Sequence, residues 1–86
     1  MDNIITLYTG PHCHLCDQAK AVIYSVIQEP VMQKMGWRLE EVNIAENESL
    51  QEKYAVRIPV MVLPDGQEKG WPFSSGQVKR LISGQD

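Results

Sequence analysis

One stretch constrains this chain more than any other: Thr9-Gly10-Pro11-His12-Cys13-His14-Leu15-Cys16, where an apolar run ends and an amphipathic helix begins. Its two cysteines are the only ones in the sequence. Residues three apart on a helix share a face, so both sulfurs can meet on its first turn. That turn also presents amide hydrogens with no partner inside the helix, together with the positive end of the helix dipole. Both favour a thiolate, and a cysteine placed there is held below the usual thiol range. One sulfur able to attack, with a second behind it able to resolve, makes a redox pair.

The rest of the composition narrows what such a pair can be for. With 86 residues, 43% of them hydrophobic, the chain is expected to form one small domain over residues 1–86. Its net charge is −3, with eight basic residues scattered along the sequence, so no nucleic-acid partner is expected. Met1-Asp2-Asn3-Ile4-Ile5 lacks a basic leader, and no run approaches the length that spans a bilayer. No membrane partner is therefore expected, and the location read from these features is cytoplasmic. In a reducing compartment a Cys-x-x-Cys pair is more often catalytic than structural.

Periodicity orders the elements. Ile4 to Thr9 is β-branched and aromatic, as a central strand covered on both faces would be. Leu15, Cys16, Ala19, Val22, Ile23, Val26 and Ile27 then recur as the buried stripe of a helix that Pro30 should stop. Pro30 to Gly36 reads as a connector in which Met32 and Met35 fill core or line an adaptable surface. Trp37 to Ile44 reads as a second strand, parallel to the first across a right-handed helical crossover. Ser49 and Glu52 have capping-box spacing at the head of a short polar helix. Val60 to Leu63, the turn Pro64-Asp65-Gly66, and Gln67 to Trp71 form a hairpin. A last helix starts at a Ser74/Gln77 capping box with Phe73 and Val78 as its staple, and Gly84 can end it. The order β-α-β-α-β-β-α predicts an α/β fold, a four-stranded mixed sheet with flanking helices.

With motif and order in hand, the chain resembles small glutaredoxin-like proteins of the thioredoxin superfamily along almost its whole length. The resemblance rests on Gly10-Pro11-His12-Cys13-His14-Leu15-Cys16-Asp17, on Arg57-Ile58-Pro59-Val60, on Pro64-Asp65-Gly66 and on Trp71-Pro72-Phe73. It implies a thioredoxin-like fold and thiol–disulfide oxidoreductase activity, with Cys13 the nucleophile and Cys16 the resolving thiol. It also implies a cis Ile58-Pro59 step facing the thiols, where an extended substrate could pair with the Ile58 backbone. The substrates implied are protein disulfides or glutathione mixed disulfides, with a separate reductant to recycle the pair. No bound cofactor is expected, glutathione is a possible reductant or substrate, and the chain is expected to be a monomer.

The departures from the family pattern concern glutathione. His14-Leu15 stands between the sulfurs in place of Pro-Tyr, and no lysine precedes the motif. Gly70-Trp71-Pro72-Phe73-Ser74-Ser75 does not reproduce the Gly-Gly and acidic residues that hold the tripeptide. Arg57, beside the expected cis-proline, could still meet a carboxylate or could simply be solvated. His14 and His12 flank Cys13 and could modulate its proton, or could be exposed side chains at a helix start, the reading favoured for His12. A zinc site would need both histidines to join both cysteines within one tight turn, and no metal is expected. The rival to an enzyme is a thioredoxin-like adaptor whose thiols are idle.

Overall fold

The computed structural model describes residues 3–54 and 57–83. Strand β1 (Ile4–Thr9) lies at the centre of the sheet. It runs parallel to β2 (Arg38–Asn43), with Leu7 opposite Glu41 and Thr9 opposite Asn43. On its other side it pairs antiparallel with β3 (Val60–Val62), Tyr8 opposite Val60, and β3 pairs antiparallel with β4 (Glu68–Gly70). The strand order is β2-β1-β3-β4.

Alternation along β1 separates two cores. Ile5 and Leu7 point into the larger one, with Met61 and Leu63, under helix α1 (His14–Ile27) and helix α4 (Ser75–Ile82). Tyr8 points to the opposite face and packs with Val60, Val62 and Ile58 against Ile44, Leu50 and Tyr54. Leu50 and Tyr54 belong to helix α3 (Glu48–Tyr54), which covers that face. The near-continuous apolar character of β1 thus reflects two covered faces rather than one.

Several local expectations change. Helix α1 ends at Ile27, three residues before Pro30, and Pro30 itself opens a further helix, α2 (Pro30–Lys34). A proline at the first helical position loses no hydrogen bond, because that amide has no partner in any helix. The expected connector is therefore helical, with Met32 buried and Met35 exposed. The second strand is shorter than the expected 37–44: Trp37 is buried just ahead of it, and Ile44 begins a 3-10 turn, Ile44–Glu46. Glu40 and Glu41 are both tolerated there because β2 is an edge strand.

Helix α3 is not capped by Ser49. The Leu50 N–H donates to Asn47 Oδ1 at 3.0 Å, so Asn47 supplies the cap. At α4 the expected box is present: the Gln77 N–H donates to Ser74 Oγ at 3.2 Å, and the Ser74 N–H donates to Gln77 Oε1 at 2.9 Å. Phe73 and Val78 are both buried beside it, and Gly84 lies outside the described residues. The hairpin turn closes through the Gly66 N–H to the Leu63 carbonyl at 2.9 Å, with Gly66 in the left-handed region at φ +95°. Among the described residues no helix is long and apolar enough to cross a membrane.

The two caps make a direct comparison. Asn47→Ala should lower unfolding stability by about 1 kcal/mol. Ser49→Ala should stay within about 0.5 kcal/mol of the parent. Urea unfolding of both variants checks it, and the reverse ranking would assign the cap to Ser49.

Candidate active site

The chain leaves β1 at Thr9 and reverses through Gly10, Pro11 and His12 to enter α1. His12 has φ +56°, a left-handed conformation that histidine adopts more readily than most residues. This turn puts Cys13 in extended backbone at the N-cap of α1, where its sulfur accepts a hydrogen bond from the Cys16 N–H at 3.1 Å. A sulfur thus takes the place usually held by a serine or aspartate oxygen. Cys13 and Cys16 are joined as a disulfide, with their Cα atoms 5.2 Å apart. Their surroundings differ: Cys13 is half-buried, whereas Cys16 is 3% exposed.

Three loops meet at this end of the sheet. Continuing the β1–β3 register two steps past Tyr8 and Val60 sets Gly10 opposite Ile58. The contact is close, since a Cβ on Gly10 would lie 2.6 Å from Ile58 Cδ1. Glycine is needed there because the neighbouring side chain occupies the space a methyl group would take. The Ile58-Pro59 peptide is cis, Pro59 is buried, and its carbonyl accepts from the Trp71 N–H at 3.1 Å. The 71–74 segment, with Trp71 edge-on to Phe73 at 5.1 Å, therefore adjoins the same end of the sheet.

Residues picked from the sequence fare unequally. Cys13 and Cys16 are joined to each other, and Ile58, ahead of Pro59, adjoins Gly10 three residues before Cys13. Leu15, placed in the buried stripe of α1 by its spacing, is instead 46% exposed beside the disulfide. His12 and His14 are exposed, and among the described residues neither imidazole makes a hydrogen bond. Arg57 is not simply solvated: its Nη2 lies 3.1 Å from Glu68 Oε1. Among the described residues no three histidine, cysteine or carboxylate side chains come together as metal ligands would.

Two polar clusters flank the site and had no signal in the sequence. On the α1 side, Thr9 is 3% exposed and its hydroxyl donates to Glu41 Oε2 at 3.1 Å, while Lys20 Nζ lies 2.9 Å from Glu41 Oε1. The Lys20 ammonium, helped by the Thr9 hydroxyl, holds the Glu41 carboxyl below its ordinary value of 4.5. On the α3 side, Tyr8 stacks on Tyr54 with centroids 4.5 Å apart, and Tyr54 Oη donates to Glu68 Oε2 at 2.6 Å. That hydrogen bond, with Arg57 and Lys53 nearby, lowers the Glu68 pKa. The hydrogen bonds and the ring stack in these clusters join residues 11 to 46 apart in the chain, so only the assembled sheet creates them.

A four-stranded mixed sheet with a Cys-x-x-Cys pair at the head of its first helix defines a thioredoxin-like protein. Residues 4–83 match the family described as the glutaredoxin-like domain (DUF836), and the chain belongs to that family. Solved relatives share the whole architecture. The protein XcR50 from X. campestris is 29% identical, with 95% of this chain and 99% of that one aligned at a TM-score of 0.75. The protein Ne2328 from Nitrosomonas europaea is 26% identical over 94% of this chain and 92% of its own, at a TM-score of 0.69. Thioredoxin-2 of the malaria parasite is 21% identical over 95% of this chain and 82% of its own, and at a TM-score of 0.71 it shares the fold. No curated protein matches this chain in sequence.

Two expectations follow from the geometry. His12→Gly should raise stability by up to about 1 kcal/mol and His12→Val should lower it, because a β-branched residue resists positive φ. A melt showing His12→Val as stable as the parent would remove the left-handed turn. The lowered Glu41 pKa stabilises the fold above the unfolded carboxyl value, and that contribution disappears as pH falls through the folded value. At neutral pH Glu41→Gln should cost about 0.5 kcal/mol, a small effect because the pair is partly exposed. Once pH has fallen below the folded carboxyl's lowered value the variant and parent should converge, and a constant gap across pH would rule out the charge as its source.

Proposed function

We propose that this chain is a thiol–disulfide oxidoreductase in which Cys13 attacks and Cys16 resolves. The observation that carries the reading is the N-cap sulfur: Cys13 Sγ accepts the Cys16 amide hydrogen at the positive end of α1 and is the more exposed of the two. Once the pair is reduced, that amide and the helix dipole favour the Cys13 thiolate over its thiol.

The reaction then balances in two displacements. The Cys13 thiolate attacks one sulfur of a substrate disulfide, forming a mixed disulfide and expelling the other as a thiolate. Cys16 gives up its proton and attacks the Cys13 sulfur, the mixed disulfide breaks, and the second substrate thiolate leaves. Two electrons have passed to the substrate, and the Cys13–Cys16 disulfide remains. A separate thiol or dithiol reductant restores it.

The proposed substrates are protein disulfides or glutathione mixed disulfides. Ile58 and Pro59 are the proposed docking backbone, because they adjoin Gly10 at the mouth of the motif. We place the protein, as a monomer without a bound cofactor, in the cytoplasm, where reducing conditions keep the pair cycling. His14 and His12 have no assigned step, since among the described residues neither imidazole makes a hydrogen bond that would orient it as a base.

Cysteine replacements test the assignment. Cys16→Ser should accumulate a covalent adduct at Cys13 when challenged with a disulfide, and Cys13→Ser should form none. Peptide mass mapping reads the site, and an adduct on Cys16 in the parent or in Cys13→Ser would reverse the roles. A Cys13 thiol that titrates like a free cysteine would leave the adaptor reading as the better one.

A further inference from the structure

We propose that Glu68 sets which disulfides this site accepts, by occupying the cations beside the Ile58-Pro59 step and so turning away small disulfides with free carboxylates in favour of polypeptide disulfides. The inference rests on the oxidoreductase reading above and narrows its substrate class.

Arg57 directly precedes Ile58, whose side chain touches the Gly10 position three residues before Cys13. A guanidinium so placed would be the natural partner of a carboxylate carried by a small disulfide. Here it is taken. Glu68 Oε1 lies 3.1 Å from Arg57 Nη2, and Lys53 Nζ approaches Glu68 Oε2 at 3.6 Å. Both cations also sit over the Tyr54 ring, at 5.2 Å for Lys53 and 5.4 Å for Arg57. The Tyr54 hydroxyl anchors the carboxylate at 2.6 Å, so an incoming carboxylate has to displace one that is already ionised and hydrogen-bonded.

At the start of α4 the reciprocal cap engages the Ser74 and Gln77 amides. Beside the disulfide, Pro11 is exposed next to His12 and His14, and Leu15 presents an exposed apolar side chain next to Cys16. A loop of a protein substrate brings a disulfide without terminal carboxylates and can cover Leu15. A tripeptide disulfide with several carboxylates gains neither advantage.

The test compares two oxidants of the pre-reduced full chain, oxidised glutathione and insulin, as second-order rate constants. Replacing Glu68 by Gln keeps an acceptor for Tyr54 while removing the charge. Glu68→Gln should raise the glutathione-to-insulin rate ratio about fivefold, the scale of one exposed ion pair. The added change Arg57→Ala should abolish that rise. Tyr54→Phe, which loosens Glu68 without touching a charge, should move the ratio the same way by less. An unmoved ratio in both Glu68→Gln and Tyr54→Phe, or a rise that survives Arg57→Ala, overturns the proposal. A parent that reacts with insulin and shows no such response defeats only this inference, whereas a parent inert to both oxidants defeats the oxidoreductase reading beneath it.

Discussion

A helix start leaves amide hydrogens in need of acceptors, and this chain answers one of them with a sulfur. The bond from the Cys16 N–H to Cys13 Sγ ties the start of α1 to the chemistry of the motif. An oxygen cap would stabilise the helix equally well, but it would leave nothing to oxidise. Because the capping atom is also the outer sulfur, the geometry that begins the helix is the geometry that exposes Cys13 and sinks Cys16. The left-handed His12 and the crowded Gly10 serve this arrangement, turning the chain out of β1 so that the cap falls on a cysteine.

That turn has to be rigid, and its support comes from β1 being the most enclosed strand. Ile5 and Leu7 are fully buried under α1 and α4, while Tyr8 is clamped by α3 through Tyr54. A strand held on both faces and hydrogen-bonded along both sides presents its end at a fixed position. The Ile58-Pro59 and 71–74 segments inherit the same position, the first through the close approach of Ile58 to Gly10 and the second through the Trp71 N–H to the Pro59 carbonyl. Three loops distant in sequence therefore share one edge of the molecule without any of them being long.

Much of this was legible in the chain because it is local. A β-branched run, a helical stripe, a reciprocal cap at Ser74 and a Pro-Asp-Gly turn each declare themselves within about eight residues, and the motif declares its own spacing. The misreadings are instructive. The first helix does end ahead of Pro30, but Pro30 also starts a further helix, because its missing amide is harmless at a first turn. Leu15 fits the buried stripe by count, yet α1 has barely begun there and no element lies over it. Ser49 loses the cap to Asn47, which stands two residues earlier and also allows the amide hydrogen bond. For Arg57 a carboxylate partner was one of the readings, but which carboxylate was not legible, since Glu68 reaches it only after β3 and β4 have paired.

The two charged clusters follow from one constraint on open sheets. Edge strands carry unpaired backbone groups, and acidic or basic side chains on them discourage pairing with another chain. β2 and β4 are those edges, and they carry Glu40, Glu41, Glu68 and Lys69. A carboxylate at an edge is not confined to facing solvent. Glu41 reaches inward to Thr9 and Lys20 on the α1 face, and Glu68 reaches Tyr54 and Arg57 on the α3 face. Each therefore protects an edge and fastens a segment leading into the site, Thr9 before the motif and Arg57 before the proline. The charge balance around the disulfide is in this way tied to the sheet's own edges, and a change at either edge reaches the site through a single side chain.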